Sequence, residues 1–280
     1  MNTKPIYKSP AGKSIIMSFY DAALSRWPVA HETFILPTRH DDTFVIASGE
    51  KSAPPLVLLH GSASNAVSWI GDIVEYSQYF RVYAIDLPGE PGKSTENRPA
   101  WGGLDFAEWL EDVLDRLKIQ KVSLLGISQG GWTALRFATT FPERVTRLVL
   151  LVPAGVAPTR SSFILSAVML SMLGRWGAQR INRMVCGKQP IHPEAVKFMD
   201  AIYTHFNTRI EKECLFSDDE LKRLNMPTLC VSGAQDVLVN VDAAAKRMQR
   251  LVPKLKVVII PNMGHALINL SEQITPFLTA

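Results

Sequence analysis

Ser128 lies in the pentapeptide Gly126-Ile-Ser-Gln-Gly130. The G-x-S-x-G pattern holds a serine on a strained strand-to-helix turn, where its hydroxyl is free to attack a carbonyl carbon. The flanking residues fit that turn. Lys121-Val-Ser-Leu-Leu125 is short, apolar and β-prone, and Gly131 to Thr139 has helical apolar spacing that stops at Phe141-Pro142. Gly126 and Gly130 flank Ser128 where any Cβ would collide with a sharp turn.

A serine hydroxyl is a weak nucleophile at neutral pH. It needs a base in hydrogen-bond reach, and the base needs an orienting group. Among six histidines, His265 is best placed, because Pro261-Asn-Met-Gly-His265 follows the last apolar strand and opens at the same sheet edge as Ser128. His31, His40, His192 and His205 have no such setting. The third member is expected at another strand end, in the order Ser, acid, His. Asp236 fits, after Ser232-Gly-Ala-Gln. Asp242 competes, but it falls at the start of a helix, where capping explains an Asp. Donors for the developing oxyanion are expected from the backbone N–H of Gln129, at a helix N-terminus, and of Ser62, in the loop His60-Gly-Ser-Ala-Ser64. Gly61 would let that loop turn closely.

The rest of the chain must position these groups. Its 280 residues carry 47% apolar and 20% charged side chains, as expected for a globular chain. A net charge of +4, with Lys and Arg scattered, gives no support for nucleic-acid binding. Cys186, Cys214 and Cys230 form no metal-ligand spacing and fit a reducing compartment. The N-terminus lacks a signal-peptide core. The most apolar stretch, Phe163 to Leu173, is eleven residues long and too short for stable membrane insertion. A cytoplasmic location is expected. Oligomeric state is not legible.

Periodicity gives a helix over 11–27 and a hairpin from 31–36 and 43–47. Apolar runs at 56–59, 81–85, 121–125, 145–152, 227–232 and 255–260 alternate with helical segments at 67–79, 104–117, 129–140, 241–251 and 266–278. That alternation predicts an α/β fold with a parallel sheet covered on both faces. It breaks over 154–218, which reads as helices at about 161–173, 175–186 and 193–206. The chain therefore divides into a core of 1–153 and 219–280, with an N-terminal helical extension over 1–28, and an insertion of 154–218.

Four elements in order resemble the α/β-hydrolase superfamily: His60-Gly61-Ser62, the loop Asp86 to Ser94, Gly126 to Gly130, and Asp236 with Gly264-His265. The resemblance covers about residues 30–279. It implies the α/β-hydrolase fold, a mostly parallel eight-stranded sheet flanked by helices, with residues 154–218 as a helical cap over the active site. The 86–94 loop is one residue longer than the D-x-x-G-x-G-x-S form, with Glu90-Pro91 between the glycines. Together with Asn97-Arg98-Pro99 it is similar to Bacillus carboxylesterases of the naproxen-esterase type. Asp86 reads as a structural residue that ties down the loop. What is expected is a serine hydrolase of carboxylic esters acting through an acyl-enzyme, with Ser128, His265 and Asp236 as triad and Ser62 and Gln129 as oxyanion donors.

The naproxen-esterase resemblance implies carboxylic esters, bulky aryl-alkanoic ones among them. Separately, no Lys or Arg is placed by sequence to grip an anion, which favours a small-molecule substrate that is a neutral, largely apolar ester. No metal or organic cofactor is required. The helix over 163–173 is apolar all round, so it packs on the core, walls a pocket through Met169 and Met172, or touches lipid. Trp69, Trp132, Trp176 and Phe137 are further wall candidates, although an aromatic at helical spacing is more often a core residue. The same triad also serves C–C bond, lactone and amide hydrolysis, and ligand receptors or stress-signalling proteins that turn over slowly.

Overall fold

Apolar runs without polar alternation become strands buried on both faces when helices cover both sides of a sheet. The computed structural model describes residues 5–209, 211 and 213–280, and its runs form the centre of one eight-stranded sheet. In chain order the elements are α1 (Pro10–Leu24), β1 (His31–Thr38), β2 (Asp41–Ser48), β3 (Pro55–Leu59), a 3₁₀ turn (Ala66–Gly71), α2 (Ile73–Tyr76), β4 (Arg81–Ile85), α3 (Asp105–Arg116), β5 (Val122–Ile127) and α4 (Gln129–Thr140). A short 3₁₀ turn (Pro142–Arg144) leads into β6 (Val145–Leu151), followed by α5 (Ser161–Ser171), α6 (Gly174–Cys186), α7 (Pro193–His205), α8 (Asp218–Leu221), β7 (Thr228–Gly233), α9 (Val241–Leu251), β8 (Leu255–Ile260) and α10 (Ser271–Thr279).

The strands lie in the order β1-β2-β4-β3-β5-β6-β7-β8. β1 pairs with β2, and β2 with β4, antiparallel. From β4 through β8 every pairing is parallel. The carboxyl ends of β3, β5, β7 and β8 therefore share one edge, and the loops that leave them carry Ser62, Ser128, Asp236 and His265.

Two apolar layers flank the sheet. On one face Trp101, Phe106, Trp109, Trp132 and Phe137 pack between α3, α4 and the strands. On the other, Tyr20, Trp69, Tyr76 and Phe80 pack with Leu267, Ile274 and Leu278. Trp69, Trp132 and Phe137 are thus core residues and not pocket walls.

Two expectations need correction, and one of the three readings left open for the apolar helix falls away. The segment read as one helix over 67–79 is a 3₁₀ turn followed by a single α turn, because Gly71 and Asp72 interrupt it and the Asp72 carboxylate turns away to accept the Ser271 N–H. The final helix starts at Ser271, not at Ala266: Ala266 is bound through its backbone to Val185 and Gln189 instead of to a helical turn. The apolar helix α5 does not pack on the core: none of its residues is buried. It leans on α6.

The helix expected over 11–27 starts at Pro10, where the Ser9 hydroxyl accepts the Gly12 N–H, and ends at Leu24. It packs on α7 through a small cluster of Ile6, Tyr7, Ile16, Ala201, Ile202 and Phe206. Residues 1–4 of the expected extension, and residues 210 and 212 of the expected insertion, lie outside the described residues. Among the described residues, no helix is long and apolar enough to cross a membrane.

Trp109 is fully buried, and its indole N–H donates to Thr43 Oγ1 at 2.8 Å. Truncation at such a site leaves a cavity and an unpaired hydroxyl. Trp109→Ala is expected to cost about 3–5 kcal/mol of unfolding free energy, read from urea denaturation.

Candidate active site

β5 ends at Ile127 and α4 begins at Gln129, so Ser128 alone makes the turn, at φ 53° and ψ −111°. A positive φ at a non-glycine residue costs on the order of 1–3 kcal/mol and persists only where its surroundings over-determine it. Here the Ser128 N–H donates to Leu151 O at 2.9 Å, and the Ser128 carbonyl accepts the N–H groups of Trp132 and Ala154 at 2.9 and 3.2 Å. The glycines are needed for space. A Cβ at Gly126 would strike the Gly130 carbonyl, and one at Gly130 would strike the carbonyls of Leu59 and His60.

The serine hydroxyl meets His265. Ser128 Oγ lies 2.9 Å from His265 Nε2, and His265 Nδ1 lies 2.7 Å from Asp236 Oδ2. Asp236 is buried, and its Oδ1 accepts the N–H groups of Leu238 and Val239 at 2.7 and 3.0 Å. Burial pushes this carboxyl up, but its hydrogen bond and charge attraction to His265, with those two amides, outweigh burial and hold it below the usual carboxylate range. An ionised Asp236 puts the imidazole proton on Nδ1 and leaves Nε2 to accept from the hydroxyl. Asp242 is outside this chain of contacts. It is exposed in the first turn of α9, and the cap expected of it is made by Asn240, whose side chain accepts the Ala243 N–H.

The inserted helices help to hold the histidine. Val185 O, near the end of α6, accepts the N–H groups of His265 and Ala266 at 2.9 and 3.3 Å. The Gln189 amide donates to Ala266 O. Gly233, Gly264 and Gly187 stack backbone on backbone here: a Cβ at Gly233 would strike the Gly264 and Met263 carbonyls, and one at Gly264 would press on Val185 O at 2.7 Å. Nothing in the local sequence around His265 signals this contact with residues 185–189.

Gln129 opens α4, so its N–H is one of the helix-start donors that have no intrahelical acceptor, and it sits at the positive end of the helix dipole. Ser62 lies between two pinned neighbours. His60 is fully buried, with the Leu87 N–H donating to Nε2 at 2.9 Å and Nδ1 donating to Gly61 O at 2.8 Å. Burial pushes its pKa down to about 4, so it is a neutral brace between β3 and the loop after β4. Gly61 is not required by backbone geometry, contrary to expectation. An added Cβ would rest at an ordinary 3.6 Å from Ser128 Cβ, and its absence keeps the space before Ser128 clear.

The second neighbour of Ser62 exposes a residue that spacing alone missed. Ala63, at φ 53°, donates its N–H to Glu90 Oε2 at 2.7 Å. Glu90 is only 2% exposed. Burial pushes its carboxyl up to about 7, against the Ala63 N–H, the charges of Arg98 and Arg209, and the Gln129 side chain. Beside it Asp86 accepts the N–H groups of Ala66 and Lys93, each at 2.7 Å, and Asn65 donates to Pro91 O at 2.9 Å. The 86–94 loop is thus a buried bed for the 60–66 loop. Its signal in the sequence was the extra length at Glu90-Pro91. Arg98 and Arg209 are the basic residues that sequence did not place.

Met169 and Met172, expected as pocket walls, are 63% and 79% exposed on the inserted helices, and Trp176 is exposed beside them.

The chain has clear relatives. A profile of the alpha/beta hydrolase fold family matches residues 54–180. The chain is 33% identical over 256 residues to the carboxylesterase YbfK of Bacillus subtilis, covering 89% of this chain and 86% of that protein. It is 34% identical over 257 residues to the carboxylesterase nap of the same organism, covering 89% and 85%. The crystal structure of the naproxen esterase (carboxylesterase NP) of Bacillus subtilis superposes with a TM-score of 0.87 at 30% identity, over 97% of this chain and 99% of that one.

The buried Glu90 has a measurable consequence. Its raised pKa means the folded protein holds this proton more tightly than the unfolded chain, so ionisation costs stability as pH climbs from 4.5 towards about 7. Glu90→Gln keeps an acceptor for Ala63 but has no such proton to lose. The stability of wild type relative to the variant should fall by about 1–3 kcal/mol across that window and then level off. Urea denaturation of both proteins on either side of the window measures it; a constant gap would contradict it.

Proposed function

The chain belongs to the α/β-hydrolase family and is a carboxylic ester hydrolase, and from that premise we propose an acyl-enzyme mechanism on Ser128. Ser128 Oγ attacks the ester carbonyl carbon as His265 Nε2 takes its proton. The carbonyl π electrons move onto oxygen, where the N–H groups of Ser62 and Gln129 receive the charge. Asp236 keeps the imidazole oriented and stabilises the imidazolium. The tetrahedral intermediate then collapses, the C–O bond to the alcohol breaks, and His265 returns the proton to the departing oxygen. Water enters, gives its proton to His265, attacks the acyl carbon and releases the acid. His265 then restores the Ser128 hydroxyl.

The observation that carries this reading is the unbroken hydrogen-bond chain from Ser128 Oγ through both nitrogens of His265 to Asp236. The strained backbone at Ser128 adds support, since strain of this kind clusters at working groups. Residues 154–218 act as a cap over this site, a role favoured by the Val185 contact with the His265 backbone. The substrate is a small apolar or aryl-alkanoic ester. One relative is named naproxen esterase, which favours the aryl-alkanoic class.

Ser128→Ala and His265→Ala should each lower kcat/KM for p-nitrophenyl butyrate by about three or more powers of ten, with thermal unfolding unchanged within a few degrees. A well-folded Ser128→Ala protein that keeps its activity would overturn the assignment.

A further inference from the structure

Helix α5 is the most apolar helix of the chain, yet it buries no residue. Its packing neighbour is α6, and six of its eleven residues are exposed. Leu165, Val168, Met169, Met172, Leu173 and Trp176 are each 50% to 79% exposed, and they follow one another within a short span of chain. Scattered exposed apolar side chains need no explanation, but a run of large ones on one projecting helix pair does.

Charge identifies what would cover this face. From Gly155 to Pro193 the sequence contains no Asp or Glu, whereas Arg160, Arg175, Arg180, Arg183 and Lys188 fall within it. Arg175 pairs with Asp200 on α7. Among the described residues, Arg160, Arg180, Arg183 and Lys188 form no ion pair. Arg180 lies over the exposed Trp176 ring at 5.2 Å. Arg180 and Arg183 also line a groove of about 590 Å³ with Leu170, Met184, Gln235 and Val237. A second copy of the chain is a poor occupant, because a two-fold contact would set this basic, acid-free stretch against a copy of itself and offer the arginines no carboxylate from it. An anionic lipid surface supplies both partners at once: acyl chains for the apolar side chains and headgroup phosphates for the guanidinium groups. At eleven residues, α5 would span about 16 Å, half of a bilayer core. It can lie on such a surface but cannot cross it.

We propose that the exposed face of α5 and α6 docks the protein on an anionic lipid surface. The docked elements are the ones that reach the catalytic centre. Gln235 and Val237 of the groove flank Asp236, and Val185 of α6 binds the His265 backbone. Docking would therefore bring the ester-cleaving site to a surface rich in apolar esters.

The test is co-sedimentation of the full chain with lipid vesicles, a readout independent of turnover. Vesicles holding about 30 mol % phosphatidylglycerol in phosphatidylcholine should bind it at least tenfold more tightly than pure phosphatidylcholine. Binding should weaken as salt is raised. Leu165→Ser/Val168→Ser and, separately, Arg180→Gln/Arg183→Gln should each weaken binding about tenfold while keeping the wild-type melting temperature. The charge variant serves if the apolar one fails to fold. Absence of vesicle binding, equal binding to both vesicle types, or binding indifferent to these substitutions would overturn the proposal. So would self-association in sedimentation that the apolar variant abolishes, since a second copy would then cover the face.

Discussion

The position of Ser128 at φ 53° depends on backbone touching backbone. β3 and β5 lie side by side, and the turn after β5 presses so closely on the end of β3 that Gly130 has no room for a Cβ beside the carbonyls of Leu59 and His60. Gly126 is held in the same way against Gly130. These contacts, with the hydrogen bonds to Leu151, Trp132 and Ala154, keep the serine in a conformation it would otherwise leave. The place of Ser128 is therefore a property of the sheet, and the loops after β3, β7 and β8 are arranged around it.

Buried charge does the second part of that arrangement. Asp236 is ionised because two amides and an imidazole satisfy its oxygens. Asp86 and Glu90 are buried with less compensation, and burial raises their pKa values to about 6 and about 7. Removing either acceptor would strand an amide in the 60–66 loop, at Ala66 or at Ala63. That loop carries Ser62, so the floor under this proposed oxyanion donor is set by carboxylates outside the proposed triad. The histidine has an equivalent support from outside the sheet, in the Val185 carbonyl.

Much of this was legible in the sequence, for physical reasons. Strands buried on both faces leave continuous apolar runs, and β3, β5, β6 and β7 were found from theirs. The glycines around Ser128 were legible because steric exclusion admits one residue type. The carboxylesterase family was legible from motifs in order. Contacts between residues far apart in the chain left little trace: neither the hold of residues 185–189 on His265 nor the seat of Glu90 under Ala63 follows from periodicity. Periodicity also left the place of α5 open. An all-apolar helix is compatible with burial, a pocket wall or a lipid surface, and only its surroundings distinguish them. The start of α10 was missed because Ala266, Leu267 and Leu270 are apolar at spacing that suits a helix, whereas Leu267 and Leu270 reach the apolar layer from a loop ahead of it.

The proposed mechanism turns on one covalent event, acylation of Ser128. Rapid mixing with p-nitrophenyl butyrate, acid quenching and peptide mass mapping tests it most directly. A butyryl group on the peptide that contains Ser128, absent from the Ser128→Ala protein, is the predicted result. Sustained turnover with no acylated peptide, or with the acyl group on another residue, would contradict it.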